Sequence, residues 1–245
     1  MPEGPTVLLM KECLQPFKGK TVTDAGGDAK FDREPLTGQT LQDIKTFGKQ
    51  TYLVFDTIVV RIHLLMFGSF SIDEQIRPDA RLRLSLFFGK DSMYFYTCSV
   101  KLVDPEFLDT IDWEADVMSD EWNPAKTKKK LKSNPDMMVC DALMDQDIFS
   151  GVGNIIKNEV LFRIGVQPES LLGKMPDKKL KELMEEARNY SFDFLRWKRD
   201  SVLKQHWLAH TKKTCPICGE KMVNKQTGLS KRRSFYCEKD QKLYH

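Results

Sequence analysis

The sequence has no long uninterrupted apolar run of the kind that a membrane helix needs. Its most apolar stretch, residues 52–70, is broken by Asp56, Arg61 and His63, and the start of the chain lacks the basic and apolar layout of a secretory signal. Internal repeats and low-complexity tracts are also missing. We therefore expect a cytoplasmic globular protein with no membrane-spanning segment and no export signal.

Cysteine is scarce, because six cysteines in 245 residues do not make a disulfide scaffold. Cys13, Cys98 and Cys140 stand singly among apolar residues, and we expect them to be reduced core residues of a cytosolic protein. The composition, 41% hydrophobic and 30% charged, is that of a soluble protein with an ample core. The length favours two modules, or one domain with appendages.

A large excess of one charge sign is also absent, because the formal net charge is only +3. Residues 211–245 nevertheless carry nine Lys or Arg against three Asp or Glu, a balance of +6 that leaves −3 for the remainder. Charge runs are usually solvated faces, but two basic segments on a nearly balanced chain suit a polyanionic partner. The second basic segment consists of Lys126, Lys128, Lys129, Lys130 and Lys132.

Hydrophobic periodicity divides the chain into parts of different type. Residues 5–17 have mostly helical spacing, residues 20–103 consist of short β-rich runs between turns, and residues 136–198 have helical patterns. The predicted fold class is α+β, with an N-terminal β-sandwich and a flanking helix, then a helical domain and a small hairpin unit. The expected limits are 1–115 for the sandwich, 116–135 for a linker with a basic helical segment, 136–210 for the helical domain and 211–245 for the hairpin.

Pro2 follows Met1 directly and becomes a free secondary amine once Met1 is removed. An α-amino group has a pKa of roughly 7.7–8.0, so part of it is unprotonated near neutral pH and can attack an aldehyde-like carbon to give an iminium. An ordinary N-terminal proline is the commoner case. A retained Met1 would leave Pro2 as a blocked tertiary amide.

Cys215 and Cys218 form a Cys-x2-Cys pair, whose two thiolates are spaced to hold one face of a tetrahedral zinc ion. Cys237 supplies a third thiolate, and Asp240 occupies the position that would complete a second such pair. Aspartate is a weaker partner than Cys or His in a thiolate site. We predict a structural Zn²⁺ on these four side chains. The alternatives for the fourth ligand are His206, His210 and His245.

Two further segments carry residues suited to a phosphate backbone. Residues 150–154 read Ser-Gly-Val-Gly-Asn between two predicted helices, which places backbone N–H groups at a helix N-terminus and adds the Asn154 amide. Lys231, Arg232 and Arg233 precede Cys237 and are expected on a hairpin of the zinc unit. The ordinary explanation for residues 150–154 is a plain helix connector, and the ordinary explanation for residues 231–233 is a solvent-exposed hairpin.

Residues 63–68 read His-Leu-Leu-Met-Phe-Gly and leave a predicted strand by a turn, while Gly48 and Lys49 lead into another strand. Apolar residues at the tip of a turn usually cover the core. On a DNA-handling protein they would instead form a wedge that fills the hole left by an extruded base.

Taken together, these residues resemble the formamidopyrimidine-DNA glycosylase and endonuclease VIII family of bifunctional base-excision enzymes. The resemblance spans the whole chain, and its strength is the order of several motifs rather than any single one. In chain order the matching segments are 1–5 (Met-Pro-Glu-Gly-Pro), 48–49, 63–68, 145–146, 151–154, 159–162 and the cysteine unit with Arg232 and residues 235–237.

The resemblance implies a particular chemistry. The damaged nucleotide is flipped from the duplex, and Pro2 attacks C1′ of the sugar and displaces the base. Glu3 is the implied acid that protonates the sugar ring oxygen, and Lys49 is the implied cation beside the scissile phosphate. The resulting Schiff base leads to loss of the 3′ and then the 5′ phosphate by β,δ-elimination.

The resemblance also implies how the partner is held. Family members grip the phosphates beside the lesion with an asparagine of a helix–two-turns–helix domain, here Asn154, and an arginine of a zinc ribbon hairpin, here Arg232. The resemblance also places His63 near the backbone and Met66 and Phe67 in the intercalating wedge. Such contacts give affinity and salt dependence with little sequence preference. The implied partner is double-stranded DNA with an oxidised base or abasic site, bound by a monomer in the cytoplasm or on a bacterial nucleoid.

Departures from the formamidopyrimidine branch concern the substrate. Residues 96–102 lack that branch's Arg-x-Phe pair, and residues 196–214 are too short for the loop that covers 8-oxoguanine. Thr6 replaces a carboxylate that many relatives carry. We therefore predict oxidised pyrimidines as the favoured substrate. The rivals are an enzyme for oxidised purines and a non-catalytic damaged-DNA-binding homologue, whereas a generic zinc-ribbon protein does not explain the start of the chain or its β-rich half.

Overall fold

The computed structural model describes residues 2–245. The chain divides into two compact units, of which the first ends at Ile111 and the second extends from Asp112 to His245. The sequence pattern alone places this boundary slightly later, at residue 115. Among the described residues, no helix is long and apolar enough to cross a membrane.

The first unit is built on two four-stranded antiparallel sheets and one helix. The strands are β1 (Asp24–Gly26), β2 (Asp43–Phe47), β3 (Gln50–Val54), β4 (Val59–His63), β5 (Ser69–Ile72), β6 (Leu82–Phe88), β7 (Asp91–Tyr96) and β8 (Ser99–Val103). One sheet has the order β2-β3-β4-β8 and the other the order β1-β6-β7-β5. The predicted N-terminal β-sandwich is confirmed.

Alternation of side chains gives the two sheets a common core. Ile62 of β4 and Leu53 of β3 are fully buried in one cluster with Leu84 of β6 and Phe95 of β7. Arg61, between two buried residues of β4, stays on the other face of its sheet and hydrogen-bonds to the side chain of Gln50. Burial of apolar surface from both sheets is the main stabilising contribution to this unit.

The flanking helix α1 (Gly4–Leu14) begins with proline near its first position, where the missing N–H costs no helical hydrogen bond. Its buried stripe consists of Val7, Met10 and Leu14, at spacings of three and four residues. Cys13 lies outside this stripe and is exposed. The prediction that Cys13 is a core residue is therefore wrong, whereas Cys98 and Cys140 are buried as expected.

The second unit contains four α-helices and one hairpin. The helices are α2 (Pro124–Lys132), α3 (Val139–Met144), α4 (Asn154–Arg163) and α5 (Asp177–Arg199), and the hairpin strands are β9 (Val223–Thr227) and β10 (Arg232–Tyr236). The long helix α5 buries Leu180, Leu183, Met184 and Ala187, which follow the spacing of one helical face. They share a core cluster with Val160 of α4.

The basic segment on α2 is largely neutralised within its own unit. Lys126 and Lys130 pair with Asp112, and Lys126 also contacts Glu114. Asp177, at the start of α5, forms salt bridges with Lys128 and Lys132. Four of the five lysines therefore have carboxylate partners, so this segment offers a polyanion much less charge than its sequence suggests.

Candidate active site and nucleic-acid interface

Pro2 and Glu3 lie at the N-terminal end of α1. Glu3 is the N-cap residue, with φ −128° and ψ 175°, and its carbonyl accepts the N–H groups of Thr6 at 2.8 Å and Val7 at 3.3 Å. The Glu3 side chain is completely buried, while Pro2 is partly exposed. Burying a carboxyl group is costly, so a buried acid beside a partly exposed proline marks this end of the helix as a candidate site. Met1, whose removal the amine requires, lies outside the described residues.

The turn that carries Lys49 is a two-residue hairpin between β2 and β3, which pair from Phe47 opposite Gln50. Gly48 supplies the positive φ of 58° that this type of turn needs at its first central residue. Gln50 faces His63 of β4 across the sheet. Burial lowers the pKa of His63, and the nearby positive charges of Lys49 and Arg61 lower it further. Lys49 and His63 therefore lie close enough for the lysine charge to affect the protonation of the imidazole.

The turn after β4 is rigid and presents apolar side chains to solvent. The Leu65 N–H donates to Nδ1 of His63 at 2.9 Å, and the Gly68 N–H donates to the Leu64 carbonyl at 2.8 Å. Gly68 is required, since a Cβ there would lie 2.1 Å from that carbonyl oxygen. Met66 is 45% exposed and Phe67 is 80% exposed. These side chains do not cover the core, so the usual explanation for apolar residues at the tip of a turn does not hold for them. Their role as a wedge stays a prediction.

In the second unit, residues 150–154 form the turn that leads into α4. Gly151 has φ 94°, and its N–H donates to the side-chain oxygen of Gln146 at 3.2 Å. The Gln146 amide in turn donates to the Val152 carbonyl at 3.2 Å. The side chain of Gln146 thus hydrogen-bonds to two backbone groups of the turn and stabilises it. Asn154 begins the helix and is 9% exposed. The N-terminus of an α-helix is a position where an anion is favoured.

Asn154 also connects α4 to the hairpin. Its amide donates one hydrogen bond to the Arg233 carbonyl at 3.1 Å, which leaves a second N–H of the same amide. The buried Lys157 ammonium donates to Ser234 Oγ at 2.8 Å, and Asn158 accepts the Phe235 N–H at 3.0 Å. The arginine-bearing strand is therefore fixed against the helix that carries Asn154. The roles of Lys157 and Asn158 were not evident from the sequence, because the partners are more than 70 residues away.

Arg232 is the first residue of β10 and lies opposite Thr227 of β9. Its side chain is exposed, as is that of Arg233. The structure thus places Arg232 on the predicted hairpin and in the same unit as Asn154, with its neighbour's carbonyl bonded to that asparagine.

Glu159 joins the segment before the cysteine unit to α4. Its fully buried carboxylate accepts the backbone N–H groups of Leu208, Ala209 and His210 at 2.7–2.9 Å. A carboxylate with three such donors is well compensated for its burial. The only sequence signal for this anchoring role is that Glu159 belongs to residues 159–162, one of the segments that resemble the family.

The side chains of Cys215, Cys218, Cys237 and Asp240 form one cluster, in which all four ligand atoms lie within 4.8 Å of one another. Sγ of Cys218 and Cys237 are 3.5 Å apart, and Oδ2 of Asp240 is 3.0 Å from Cys215 Sγ and 3.3 Å from Cys237 Sγ. Tetrahedral zinc with Zn–S bonds of about 2.3 Å requires edges of this order. The four residues are therefore placed to hold a metal ion.

Two of the three histidines considered as alternative ligands, His206 and His210, have other contacts. Nδ1 of His210 lies 3.2 Å from the Asn158 amide, and burial, together with the Lys157 charge, lowers the pKa of His210 to about 4. The ring of His206 stacks on Trp197 with centroids 4.1 Å apart. Within the part of the chain that the structure describes, the cysteine cluster is completed by Asp240.

Two family models match the chain in order. The model described as the formamidopyrimidine-DNA glycosylase N-terminal domain matches residues 1–99, and the model described as the formamidopyrimidine-DNA glycosylase H2TH domain matches residues 114–192. The chain belongs to the formamidopyrimidine-DNA glycosylase and endonuclease VIII family. The family predicted from the order of the motifs is confirmed.

Relatives of this family with similar sequences carry endonuclease 8 names. Endonuclease 8-like 3 of Xenopus laevis is 30% identical over 91% of this chain and 38% of its own length. Endonuclease 8 2 of Mycobacterium tuberculosis is 28% identical over 81% of this chain and 82% of its own length. The chain thus spans little more than a third of the vertebrate relative but most of the bacterial one.

Solved structures of the family have the same fold. A viral DNA glycosylase superposes with a TM-score of 0.85 at 20% identity, over 98% of this chain and 100% of the other. A complex between the Lactococcus lactis Fpg and DNA with an abasic site superposes equally well at 17% identity, over 98% of this chain and 99% of that one. The predicted α+β architecture of the formamidopyrimidine-DNA glycosylase family is confirmed.

Proposed function

We propose that this protein is a bifunctional DNA glycosylase and abasic-site lyase of base excision repair. The observation that carries the proposal is the completely buried Glu3 carboxyl beside Pro2 at the start of α1. Family membership supports it, as do relatives named as endonuclease 8 and as a DNA-(apurinic or apyrimidinic site) lyase.

Pro2 is the proposed nucleophile. With Met1 removed, its nitrogen lone pair forms a bond to C1′ while the bond between C1′ and the damaged base breaks. The nitrogen then loses its proton and the sugar ring opens: the C1′–O4′ bond breaks, the ring oxygen leaves as a hydroxyl group, and a C1′=N iminium ion is formed. The iminium withdraws electrons from C2′. Loss of a proton from C2′ expels the 3′ phosphate, and a second elimination expels the 5′ phosphate. A proline nitrogen that still bears an acyl group has no lone pair for this attack.

Glu3 and Lys49 are proposed to assist that chemistry. Glu3 follows the nucleophile directly, so its carboxyl group can reach the sugar ring oxygen and protonate it as the ring opens. Lys49, on its glycine-defined hairpin turn, supplies a positive charge for the phosphate next to the lesion.

DNA is proposed to be held at three places. His63, whose pKa is lowered by burial, accepts the Leu65 N–H and so orients the turn that carries the wedge residues Met66 and Phe67. Asn154 at the start of α4 and Arg232 on β10 are the proposed phosphate contacts. An exposed apolar wedge compensates for the stacking that is lost when a base leaves the duplex.

Zinc is the metal that the cysteine cluster fits best. Three thiolates and one carboxylate are typical zinc donors, and the cluster is closed, as in structural sites. Cys215, Cys218, Cys237 and Asp240 would hold the ion, which would stabilise the hairpin unit rather than take part in the reaction. The fold of this small unit then depends on its metal.

Oxidised pyrimidines are the proposed substrates, in line with the endonuclease 8 names of the relatives. Release of thymine glycol and 8-oxoguanine from otherwise identical duplexes tests this choice, with initial rates measured under single-turnover conditions. We expect thymine glycol to be released faster by at least about tenfold, a difference of about 1.4 kcal/mol in transition-state stabilisation. Faster release of 8-oxoguanine would establish the purine alternative. Binding without release of either base, by protein that lacks Met1, would indicate the non-catalytic alternative.

Asn154→Ala and Arg232→Ala are each expected to weaken binding of an abasic-site duplex without changing sequence preference. A cation that neutralises a phosphate contributes about 0.9 to the slope of log affinity against log salt concentration, so Arg232→Ala should lose roughly that amount. Asn154→Ala removes an uncharged hydrogen-bond donor and should lower the affinity with little change in the slope. Fluorescence anisotropy over a salt series measures both quantities. Lys231→Ala is a useful comparison, because it removes a charge from the same hairpin. An unchanged slope for Arg232→Ala, or an unchanged affinity for Asn154→Ala, would remove that residue from the interface.

A further inference from the structure

The tip of the β9–β10 hairpin has an anchor outside the hairpin. Asp141 of α3 accepts the Leu229 N–H on Oδ2 at 3.0 Å and the Ser230 N–H on Oδ1 at 3.3 Å. Both donors belong to the turn, residues 228–231, which is closed by a 3.3 Å bond from the Lys231 N–H to the Gly228 carbonyl. Hydrogen bonds to a carboxylate are stronger than those between neutral groups. One side chain therefore fixes two consecutive peptide groups at the hairpin tip.

Gly228 makes room for this anchor. Its φ of +66° is a conformation that glycine adopts at little cost. A Cβ at this position would lie 2.3 Å from Oδ1 and 2.5 Å from Oδ2 of Asp141. Any side chain at residue 228 would therefore displace the carboxylate from the two N–H groups.

The other end of the hairpin's arginine strand is fixed by α4. Ser234 Oγ is bonded to Lys157 at 2.8 Å and to Thr227 Oγ1 at 2.6 Å, in a buried position. Arg232 lies between this attachment and the anchored tip, because it pairs with Thr227 and follows the turn directly. Its backbone is therefore held on both sides.

The anchor also explains an exposed leucine. Leu229 is 90% exposed although it is apolar, and its N–H is one of the two that Asp141 accepts. A turn without the anchor would be free to fold this side chain against the protein surface. The carboxylate instead holds the turn in the conformation that leaves Leu229 exposed, close in sequence to the cations Lys231 and Arg232.

We infer that Asp141 is a positioning residue for DNA binding, which together with Gly228 fixes the hairpin tip so that Arg232 meets its phosphate in one orientation. The inference rests on the proposed function, because the phosphate contact of Arg232 is part of that proposal. A turn that is ordered before binding loses less conformational entropy when DNA is bound. The fixed tip thus strengthens the contact although Asp141 itself is negative.

A positioning role and a purely electrostatic role of Asp141 predict different effects of Asp141→Asn on DNA affinity. Removing a carboxylate near DNA weakens repulsion, so a purely electrostatic role gives tighter binding or no change. A positioning role gives weaker binding, at most by the loss of one phosphate contact. The electrostatic contribution of one such contact to the affinity grows by about eightfold as the salt concentration falls from roughly 1 M to 0.1 M. Asp136→Asn is the matched control, since it makes the same charge change at an exposed residue five positions away.

Gly228→Ala tests the same anchor without changing any charge. We expect it to weaken binding of an abasic-site duplex as Asp141→Asn does. Gly89→Ala is the control for backbone strain, because Gly89 has φ +71° and a Cβ added there would meet nothing within 4 Å. Metal content and thermal unfolding of each variant show whether the hairpin unit is still folded.

The decisive measurement is a double-mutant cycle with Arg232→Ala, read as affinity and salt slope. If Asp141 acts through Arg232, Asp141→Asn weakens the intact protein but changes the affinity of the Arg232→Ala protein by less than about twofold. Equal losses in both backgrounds, or tighter binding by Asp141→Asn, would overturn the inference. If Arg232→Ala alone has no effect, the proposed DNA contact fails instead, so the two failures are distinguishable.

Discussion

Glu3→Gln is expected to slow base release by on the order of 10²–10⁴-fold, the usual contribution of a general acid. The substitution keeps the size of a completely buried side chain and removes its ability to donate a proton at neutral pH. Binding should change little, because Glu3 is proposed to act on the sugar ring oxygen rather than on the phosphates. Single-turnover release of thymine glycol measures the rate, and anisotropy with an uncleavable abasic analogue measures binding.

Glu12→Gln is the matched control for this experiment, since Glu12 is an exposed glutamate on the same helix. Its base-release rate should stay within about twofold of the unmodified protein, as is typical of surface substitutions. If Glu3→Gln releases the base at the unmodified rate, the buried carboxyl is not the acid. A variant that has lost its cooperative unfolding transition would instead show that Glu3 is needed for the fold, and the rate would then be measured with Glu3→Asp.

Loss of the metal site is the second large effect. Cys218→Ser should reduce bound zinc from one equivalent to near zero and reduce DNA affinity by at least about 10²-fold. The reason is that structural zinc contributes about 10–16 kcal/mol of binding free energy at neutral pH, which such small units use to fold. Without it, β9 and β10 have only a small local core, and Arg232 is no longer held. Zinc is measured by mass spectrometry of the metal, and affinity by anisotropy.

Cys13→Ser serves as the comparison, because this thiol is exposed and belongs to the first unit. It should retain zinc and DNA affinity. Full affinity in a zinc-free Cys218→Ser protein would contradict the structural role of the metal. Asp240→Ala is expected to be intermediate, since a carboxylate is the weakest donor of the four and water can replace it.

Local patterns in the sequence were sufficient to predict the main elements. The β-branched and aromatic runs of β3, β4, β6 and β7 predict strands. The helical spacing of apolar residues in α5 predicts its buried face. The strand β1 (Asp24–Gly26) has only three residues and no large apolar one, so its pairing with β6 is determined by the sheet and not by its own sequence.

Predictions from single residues were less reliable than predictions from patterns. Cys13 stands among apolar residues in the sequence, but the helix turns it away from the stripe formed by Val7, Met10 and Leu14. The lysine segment on α2 has a strong positive charge in sequence, yet four of its five lysines pair with Asp112 or Asp177, which lie at distant positions and offset part of that charge. Such pairings depend on tertiary structure, and a single sequence carries no signal for them.

The same limit applies to the site. The order of the motifs indicates Pro2, Glu3, Asn154 and Arg232, and the roles of these residues stay predictions. The residues that hold the arginine strand, such as Lys157 and Asp141, find their partners more than 70 positions away. Nothing in their own sequence neighbourhood predicts those contacts.

Reductive trapping tests the central claim most directly. Protein whose intact mass shows that Pro2 is the first residue is incubated with an abasic-site duplex and borohydride, and the adduct is digested and mapped by mass spectrometry. We predict a covalent complex whose DNA is attached to the N-terminal peptide at Pro2. The absence of an adduct from this verified protein, or attachment at a lysine such as Lys49, would contradict the proposal that the proline nitrogen is the nucleophile.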